Sequence, residues 1–378
     1  MDGWRAIAIA AVAIHHIGRG FYANEDAYAS DITRYGAFGV DIFFGLSGLL
    51  ITKLLLDEWR GSSANSSETA GASSKISSFD LRGFYVRRAF RILPPYLAYL
   101  LVCTLAGLWR SPWEAAGCLL FFRNYVPDNL VGDATQHLWS LAVEEHFYLL
   151  WPGLLFLLKP RRARTAAFVL ACSFGVWRMV ESQLPARTLP WIPSHFRTDL
   201  RLDALLWGCV FAFLLTDPAQ REKLGAQLRW PAWLAIAGIL ALSIALYSPL
   251  SSVWVACLIP ILLLGTITHP TWLVSRMLDW APIAWLGRIS YSLYLWQQLF
   301  LIPGWQHPAH AWTRWPLNVF ACLLTATASY YCIEKPLIRL GRGIADRLSK
   351  RPVKDSRELS PLAAETRSPL GGHFRDAN

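Results

Sequence analysis

Charge is scarce in this chain. Only 16% of its 378 residues are Asp, Glu, Lys or Arg, against roughly a quarter in a soluble domain, which argues against a water-soluble globule. Paired cysteines are also missing. Cys103, Cys118, Cys172, Cys209, Cys257, Cys322 and Cys332 form no CxxC pair and no metal-ligand spacing. Most fall in apolar runs, where a thiol packs as a small hydrophobe, so neither a disulfide nor a metal is expected. The net charge of +10 comes with no nucleic-acid motif and no aromatic-basic interleaving, so nucleic acid is not an expected partner. No cleavable signal peptide is expected from the first apolar run, which holds His15 and His16 and ends in Gly18-Arg19 without a small-residue cleavage site. There is no internal repeat of the transporter kind, and no stretch is left over for a folded extramembrane domain.

Apolar surface is abundant instead. Hydrophobic residues make up 54% of the chain and there are 19 tryptophans, with a mean hydropathy of +0.31. Tryptophan favours the bilayer interface. Ten segments approach the length needed to cross a hydrocarbon core of ~30 Å: 4–22, 36–57, 91–109, 137–158, 164–182, 199–216, 231–248, 251–268, 282–303 and 314–334. A weaker stretch, 113–123, is too short and is expected as an interfacial or re-entrant helix. The expected fold class is therefore all-α, a polytopic transmembrane helical bundle of about ten spans.

Loop charge orients it. Segment 58–90 carries Lys75, Arg82, Arg87 and Arg88, and Lys159 to Arg164 is strongly basic. Segment 217–229 adds Arg221, Lys223 and Arg229, and the region from Arg339 onward carries nine basic and five acidic residues. Segment 23–35 holds Glu25, Asp26 and Asp31 against Arg34 alone. Positive charge stays inside, so both termini and the basic loops are expected in the cytoplasm, as an even span count also requires. One transmembrane domain, 1–340, is expected, with a flexible Ser/Gly/Ala-rich cytoplasmic loop at 58–80 and a polar, disordered tail at 341–378.

Ionisable groups inside such segments are costly and usually mark function. Arg5 and His16 lie eleven residues apart in the first segment. Eleven steps of ~100° end about 20° past three turns, so they share a face ~16 Å apart. His16 is twelve steps, ~18 Å, past Trp4, beyond the midplane of a ~30 Å core. Histidine suits proton transfer near neutral pH, although a histidine there can also simply bond a neighbouring helix. Arg5 at the cytoplasmic edge can snorkel or bind an anionic donor. Arg88 and Arg91, three apart, share a face, and the guanidinium fork suits phosphate; Arg87 reads as a cytoplasmic anchor. Pro94 and Pro95 would leave carbonyls free to shape a cavity wall. Glu144 and Glu145, adjacent in an apolar run, point ~100° apart toward different neighbours, either to orient a base or a sugar hydroxyl or to pair with an arginine. Asp41, Arg201, Asp203, Ser290, Tyr291 and Tyr294 read as interhelical hydrogen-bonding or ion-pair residues.

Six strings carry a resemblance: Asp2-Gly-Trp-Arg5-Ala-Ile-Ala, Gly39-Val-Asp-Ile-Phe-Phe, Phe84 to Tyr96, His137-Leu-Trp-Ser-Leu-Ala-Val-Glu-Glu-His-Phe-Tyr148, Arg201-Leu-Asp-Ala-Leu-Leu-Trp-Gly208 and Gly287 to Trp296. Together, and in this order over about residues 1–340, they resemble the acyltransferase-3 family of integral membrane acyltransferases. The resemblance implies transfer of an acyl group, often acetyl, from cytoplasmic acyl-coenzyme A to a hydroxyl of a sugar, glycolipid or small acceptor at the far side. It implies a multi-pass place in the bacterial inner membrane. Its Arg-x10-His, Arg-x-x-Arg and Glu-Glu motifs fall on Arg5 with His16, Arg88 with Arg91, and Glu144 with Glu145. The expected catalytic residues are thus His16, Glu144 and Glu145, and the expected donor-binding residues Arg5, Arg88 and Arg91. The chain departs from the family pattern at Trp4, where Leu is common, at His146, where Gln is usual, and at Gln297, where His is usual. No esterase-like domain is expected. The competing functional class is a transporter or flippase that uses the same buried charges as a proton relay.

Overall fold

The computed structural model describes residues 1–21, 28–68, 81–184, 192, 196–246, 251–301 and 314–349. Among them there is no strand; the architecture is all-helical, as expected. In chain order the helices are α1 Asp2–Phe21, α2 Tyr28–Glu68, α3 Leu81–Leu105, α4 Pro112–Leu119, α5 Leu138–Gln183, α6 Leu202–Thr216, α7 Pro218–Gln227, α8 Trp230–Ala245, α9 Ser251–Thr268, α10 Leu273–Leu278, α11 Ala281–Arg288, α12 Ser290–Leu301, α13 Leu317–Ser329 and α14 Lys335–Ser349. A π-helical turn, Tyr330–Glu334, joins the last two.

Several expected segments keep their place but change their form. Segments 137–158 and 164–182 are the two arms of α5, which breaks at Lys159, where the backbone is non-helical (φ 62, ψ 158); Pro160 disfavours helical backbone at the residue before it. Segment 282–303 is split into α11 and α12, and 314–334 runs on through the π turn to Ser349. The short stretch near 113–123 is α4, opened by Ser111, whose hydroxyl accepts from the Glu114 amide, with Pro112 in its first turn. Helix α2 continues to Glu68, into the expected loop. Residues 69–80, and the tail beyond Ser349, lie outside the described residues. Two helical stretches, Phe38–Arg60 and Asp133–Gln183, are long and apolar enough to cross a membrane, and α6 with α7, bent by 108°, would make a third.

Close backbone contact sets the centre of the bundle. A Cβ on Gly48 would lie 1.8 Å from the Leu205 carbonyl oxygen, and one on Gly208 would lie 2.3 Å from that of Gly45. Only glycine permits α2 and α6 to meet so closely, the small-residue packing typical of membrane helices. Gly39 lies against Ala8, and Gly36 against Ala11 and His15, so α1 and α2 run antiparallel. Leu49, Leu55, Leu205, Cys209 and Leu264 are fully buried around this contact.

Buried ion pairs tie neighbouring elements here. Arg178 Nη2 meets Asp203 Oδ2 at 2.6 Å, and Arg201 Nη2 meets Asp41 Oδ1 at 3.0 Å. Arg197 bridges Glu181 and Asp199, each at 2.6 Å. The interhelical role expected of Asp41, Arg201 and Asp203 is what these pairs perform. Trp4 Nε1 likewise donates to Thr266 Oγ1 at 2.9 Å, tying α1 to α9.

Candidate active site

Helix α5 carries Glu144 and Glu145 into the middle of the molecule, and they do face different neighbours. Ser47 Oγ on α2 donates to Glu144 Oε1 at 2.7 Å. Tyr148, one turn along α5, sets its hydroxyl 2.9 Å from Ser47 Oγ and 3.2 Å from Glu144 Oε2. Glu145 turns toward α3 and α12, where its charge acts on Tyr96 and Tyr291. Its Oε1 is buried without a hydrogen bond. Among the described residues neither glutamate forms an ion pair within 4.0 Å.

Arg88, on α3, acts on both glutamates of this pair, Arg5, on α1, acts on Glu144, and Arg91 acts on Glu334. Arg88 lays its guanidinium carbon 4.0 Å from the Tyr148 ring centroid, and its charge acts on both Glu144 and Glu145. Its Nε is buried without a partner. Arg91 lies within the field of Arg5, Arg88 and Glu334, and Arg5 also acts on Glu144 and Glu334. Arg5 Nη1 lies 3.3 Å from Asp2 Oδ1 within its own helix. Arg87 faces away and pairs with Glu58 on α2, consistent with an anchoring role. The cluster sets three arginines against three carboxylates, Glu144, Glu145 and Glu334, and the guanidinium forks of Arg88 and Arg91 have the planar donor geometry that suits phosphate oxygens. Two surface clefts lie elsewhere: one of about 510 Å³ beside Lys53, Arg60 and Arg221, and one of about 800 Å³ beside Trp59, Lys159 and Arg161. Neither is lined by Arg5, Arg88 or Arg91.

Helix α3 reaches the site through Pro94 and Pro95, which cannot donate to the turn before them. At this break the Tyr291 hydroxyl on α12 donates to the Ile92 carbonyl at 3.0 Å. Tyr294, one turn further along α12, donates to the His137 carbonyl and sits 2.7 Å from Ser140 Oγ. Tyr291 and Tyr294 thus link α12 to α3 and α5.

His16 is buried, 9% exposed, with its ring edge-on to His15 at 5.1 Å. It does not sit beside the arginines: Arg5 is three turns away, ~16 Å along α1. Between them on the same stripe, Ile9 and Val12 pack with Leu293 and Tyr294 of α12. Tyr294 is therefore the residue where the His16 stripe of α1 meets the Glu144 group, whose charge acts on it.

Three participants escaped the sequence reading. Glu334, 1% exposed, accepts from Ser292 Oγ at 2.9 Å and completes the arginine cluster. Its signal was a carboxylate at the very end of an apolar segment. Tyr148 closes the His137–Tyr148 motif and Ser47 follows the Gly39–Phe44 motif by three residues, but only three-dimensional packing shows that both hold Glu144. His146, where the sequence departs from the family pattern, places Nδ1 2.8 Å from Thr198 Oγ1 and leaves the glutamates alone. Gln297 is fully buried, with neither amide atom hydrogen-bonded.

Comparison with known proteins agrees with these motifs. No solved structure matches the chain. It is 27% identical to the peptidoglycan O-acetyltransferase OatA of Listeria monocytogenes, over 90% of this chain and 56% of that protein. It is 28% identical to the putative peptidoglycan O-acetyltransferase YrhL of Bacillus subtilis, over 96% of this chain and 58% of that one. It is 26% identical to the O-acetyltransferase OatA of Staphylococcus aureus, over 90% and 57%. The chain thus spans less than three-fifths of the length of these relatives. Residues 1–334 match the family model described as an acyltransferase domain, Acyl_transf_3. With its apolar helices and this match over most of its length, the chain belongs to the acyltransferase-3 family of membrane proteins.

Proposed function

We propose that the protein is a membrane O-acyltransferase that moves an acetyl group from acetyl-coenzyme A to a hydroxyl of a glycan acceptor, of the kind named in its peptidoglycan-acetylating relatives. The observation that carries this reading is the convergence of Arg5, Arg88 and Arg91 on Glu144, Glu145 and Glu334, within a chain whose motifs match the family throughout. The reading places ten spans in the bacterial inner membrane, with both termini and the basic loops in the cytoplasm.

Arg5, Arg88 and Arg91 hold the phosphates of the donor at the cytoplasmic end, and the pantetheine arm carries the thioester along the α1–α12 seam. His16 takes the proton from the acceptor hydroxyl as that oxygen attacks the thioester carbonyl carbon. The carbon–sulfur bond breaks, and the coenzyme A thiolate leaves and picks up a proton. Glu144, fixed by Ser47 and Tyr148, and Glu145 position the reacting groups and balance the arginines. The ~16 Å between Arg5 and His16 suits a donor entering from one side and an acceptor from the other.

The test is transfer of labelled acetyl from acetyl-coenzyme A to peptidoglycan fragments by the protein in proteoliposomes. His16→Ala is expected to lower kcat on the order of 10²–10⁴-fold. Near-normal transfer by this variant would remove His16 as the base; label moving across the membrane without acyl transfer would make the protein a transporter.

A further inference from the structure

Most buried arginines here have a carboxylate. Arg178, Arg197 and Arg201 each meet one at 2.6–3.0 Å. Arg123 does not. It follows α4 in the turn Arg123–Tyr125 and is 1% exposed. Nε, Nη1 and Nη2 are all buried without a hydrogen bond, and among the described residues no carboxylate lies within 4.0 Å of it. Its guanidinium carbon stands 5.5 Å from the Phe196 ring centroid. Of the two carboxylates whose charge reaches it, Asp128 is exposed and Glu114 is already occupied: Oε2 accepts from the Arg110 amide at 2.6 Å, and Oε1 accepts from the Gly132 amide at 3.0 Å and from the Thr135 hydroxyl. A buried guanidinium with five donors and no acceptor is strongly unfavourable. A protein keeps such a group where a ligand supplies the anion.

The position of Arg123 says which ligand. Its charge acts on His137 and Tyr294, and Tyr294 is also within the field of Glu144 and packs with Val12, one turn before His16. Arg123 and the His16 stripe of α1 therefore meet Tyr294 from different elements. Beside Arg123, Asn124 donates to Thr198 Oγ1 at 2.9 Å and to the Phe196 carbonyl at 3.3 Å, leaving its own Oδ1 buried and unpartnered.

We infer that Arg123 is the seat for an anionic group, a carboxylate or a phosphate, on the acceptor, and that it fixes the acceptor while His16 works on its hydroxyl. This rests on the acyl-transfer reading for its use, but not for its detection. The guanidinium fork takes either group through two parallel hydrogen bonds. A glycan with an acidic substituent and a lipid-linked glycan with a phosphate share this chemistry.

The probes are a GlcNAc–MurNAc disaccharide with its free lactyl carboxylate, the methyl ester of the same disaccharide, and a polyprenyl monophosphate. Binding to detergent-solubilised full-length protein is measured without donor, and acetyl transfer with acetyl-coenzyme A is measured in proteoliposomes. The acid is expected to bind on the order of 10- to 100-fold more tightly than the ester. Arg123→Gln is expected to abolish this preference while leaving the KM for acetyl-coenzyme A unchanged, and Arg123→Lys to restore part of it. Polyprenyl phosphate binding that depends on Arg123, with none for the disaccharide, would also support the seat and assign its anion to the lipid. Equal binding of acid and ester by wild type, with no Arg123-dependent phosphate binding, overturns the seat even if transfer proceeds. Arg123-dependent binding without any transfer keeps the seat and overturns the acyl-transfer reading. Stability gives a second readout: Arg123→Met is expected to raise the Tm, because it removes an unpaired buried charge. A lowered Tm together with unchanged anion preference would make Arg123 structural.

Discussion

On the α5–α6 side of the bundle, Arg178 and Arg201 each face a carboxylate at 2.6 and 3.0 Å, and both carboxylates, Asp203 and Asp41, are buried. On the α3–α12 side, Arg88 and Arg91 lie among Glu144, Glu145 and Glu334 without an ion pair inside 4.0 Å, while Ser47, Tyr148 and Ser292 hold two of those carboxylates. Both regions set arginines against carboxylates, buried aspartates in the first, half-buried Glu144 and Glu145 with buried Glu334 in the second. What differs is who satisfies the carboxylate. Where an arginine lies within 3.0 Å of the carboxylate, the ion pair fastens helices. Where hydroxyls satisfy it, the guanidinium keeps donors for something else. Burial of a charge is thus no guide to function by itself; its pairing is.

That contrast can be broken most forcefully at Arg178. Arg178→Ala leaves Asp203 buried and uncompensated, and a loss of about 3–5 kcal/mol is expected, read as thermal unfolding in detergent. The double variant Arg178→Met with Asp203→Leu should regain most of it; a double variant as unstable as the single one would contradict the closed-pair account. Ser47→Ala tests the hydroxyl side. It removes the 2.7 Å donor to Glu144, and we expect a loss of about 1–3 kcal/mol together with a fall in kcat that a remote hydroxyl deletion, such as Ser243→Ala, does not produce. The smallest effect belongs to the exposed pair Lys53–Asp57, both side chains 48% exposed. Lys53→Ala should change stability by less than about 0.5 kcal/mol, and a larger change would show that surface pairs matter more in this protein than the comparison allows.

Much of this could be read from the sequence. The apolar runs located the helices, because a membrane helix must satisfy its backbone internally and so declares itself by length and composition. Arg88 and Arg91 on one face, and Glu144 and Glu145 on two, followed from helical angles alone. The pairing did not. Arg201 and Arg88 look alike in sequence, each a cation in an apolar context, and only the packing of α2 against α6 and α5 decides which one meets an aspartate. Arg123 was hidden for the same reason: the sequence shows it only as the last residue of a short apolar stretch, and its lack of a partner is a property of tertiary structure. The break at Lys159 was legible, because Pro160 disfavours helical backbone at the residue before it.

The central claim is that the arginines beside Glu144 are kept for a ligand, unlike those that close on a carboxylate. The most direct measurement takes Arg88→Ala and Arg178→Ala in the same proteoliposome and detergent preparations, and compares the KM for acetyl-coenzyme A with the Tm. The account predicts that Arg88→Ala raises the donor KM on the order of 10- to 100-fold with little change in Tm, while Arg178→Ala lowers the Tm and leaves the donor KM of the folded fraction unchanged. Equal loss of stability in both variants, with the donor KM unmoved in Arg88→Ala, would contradict it.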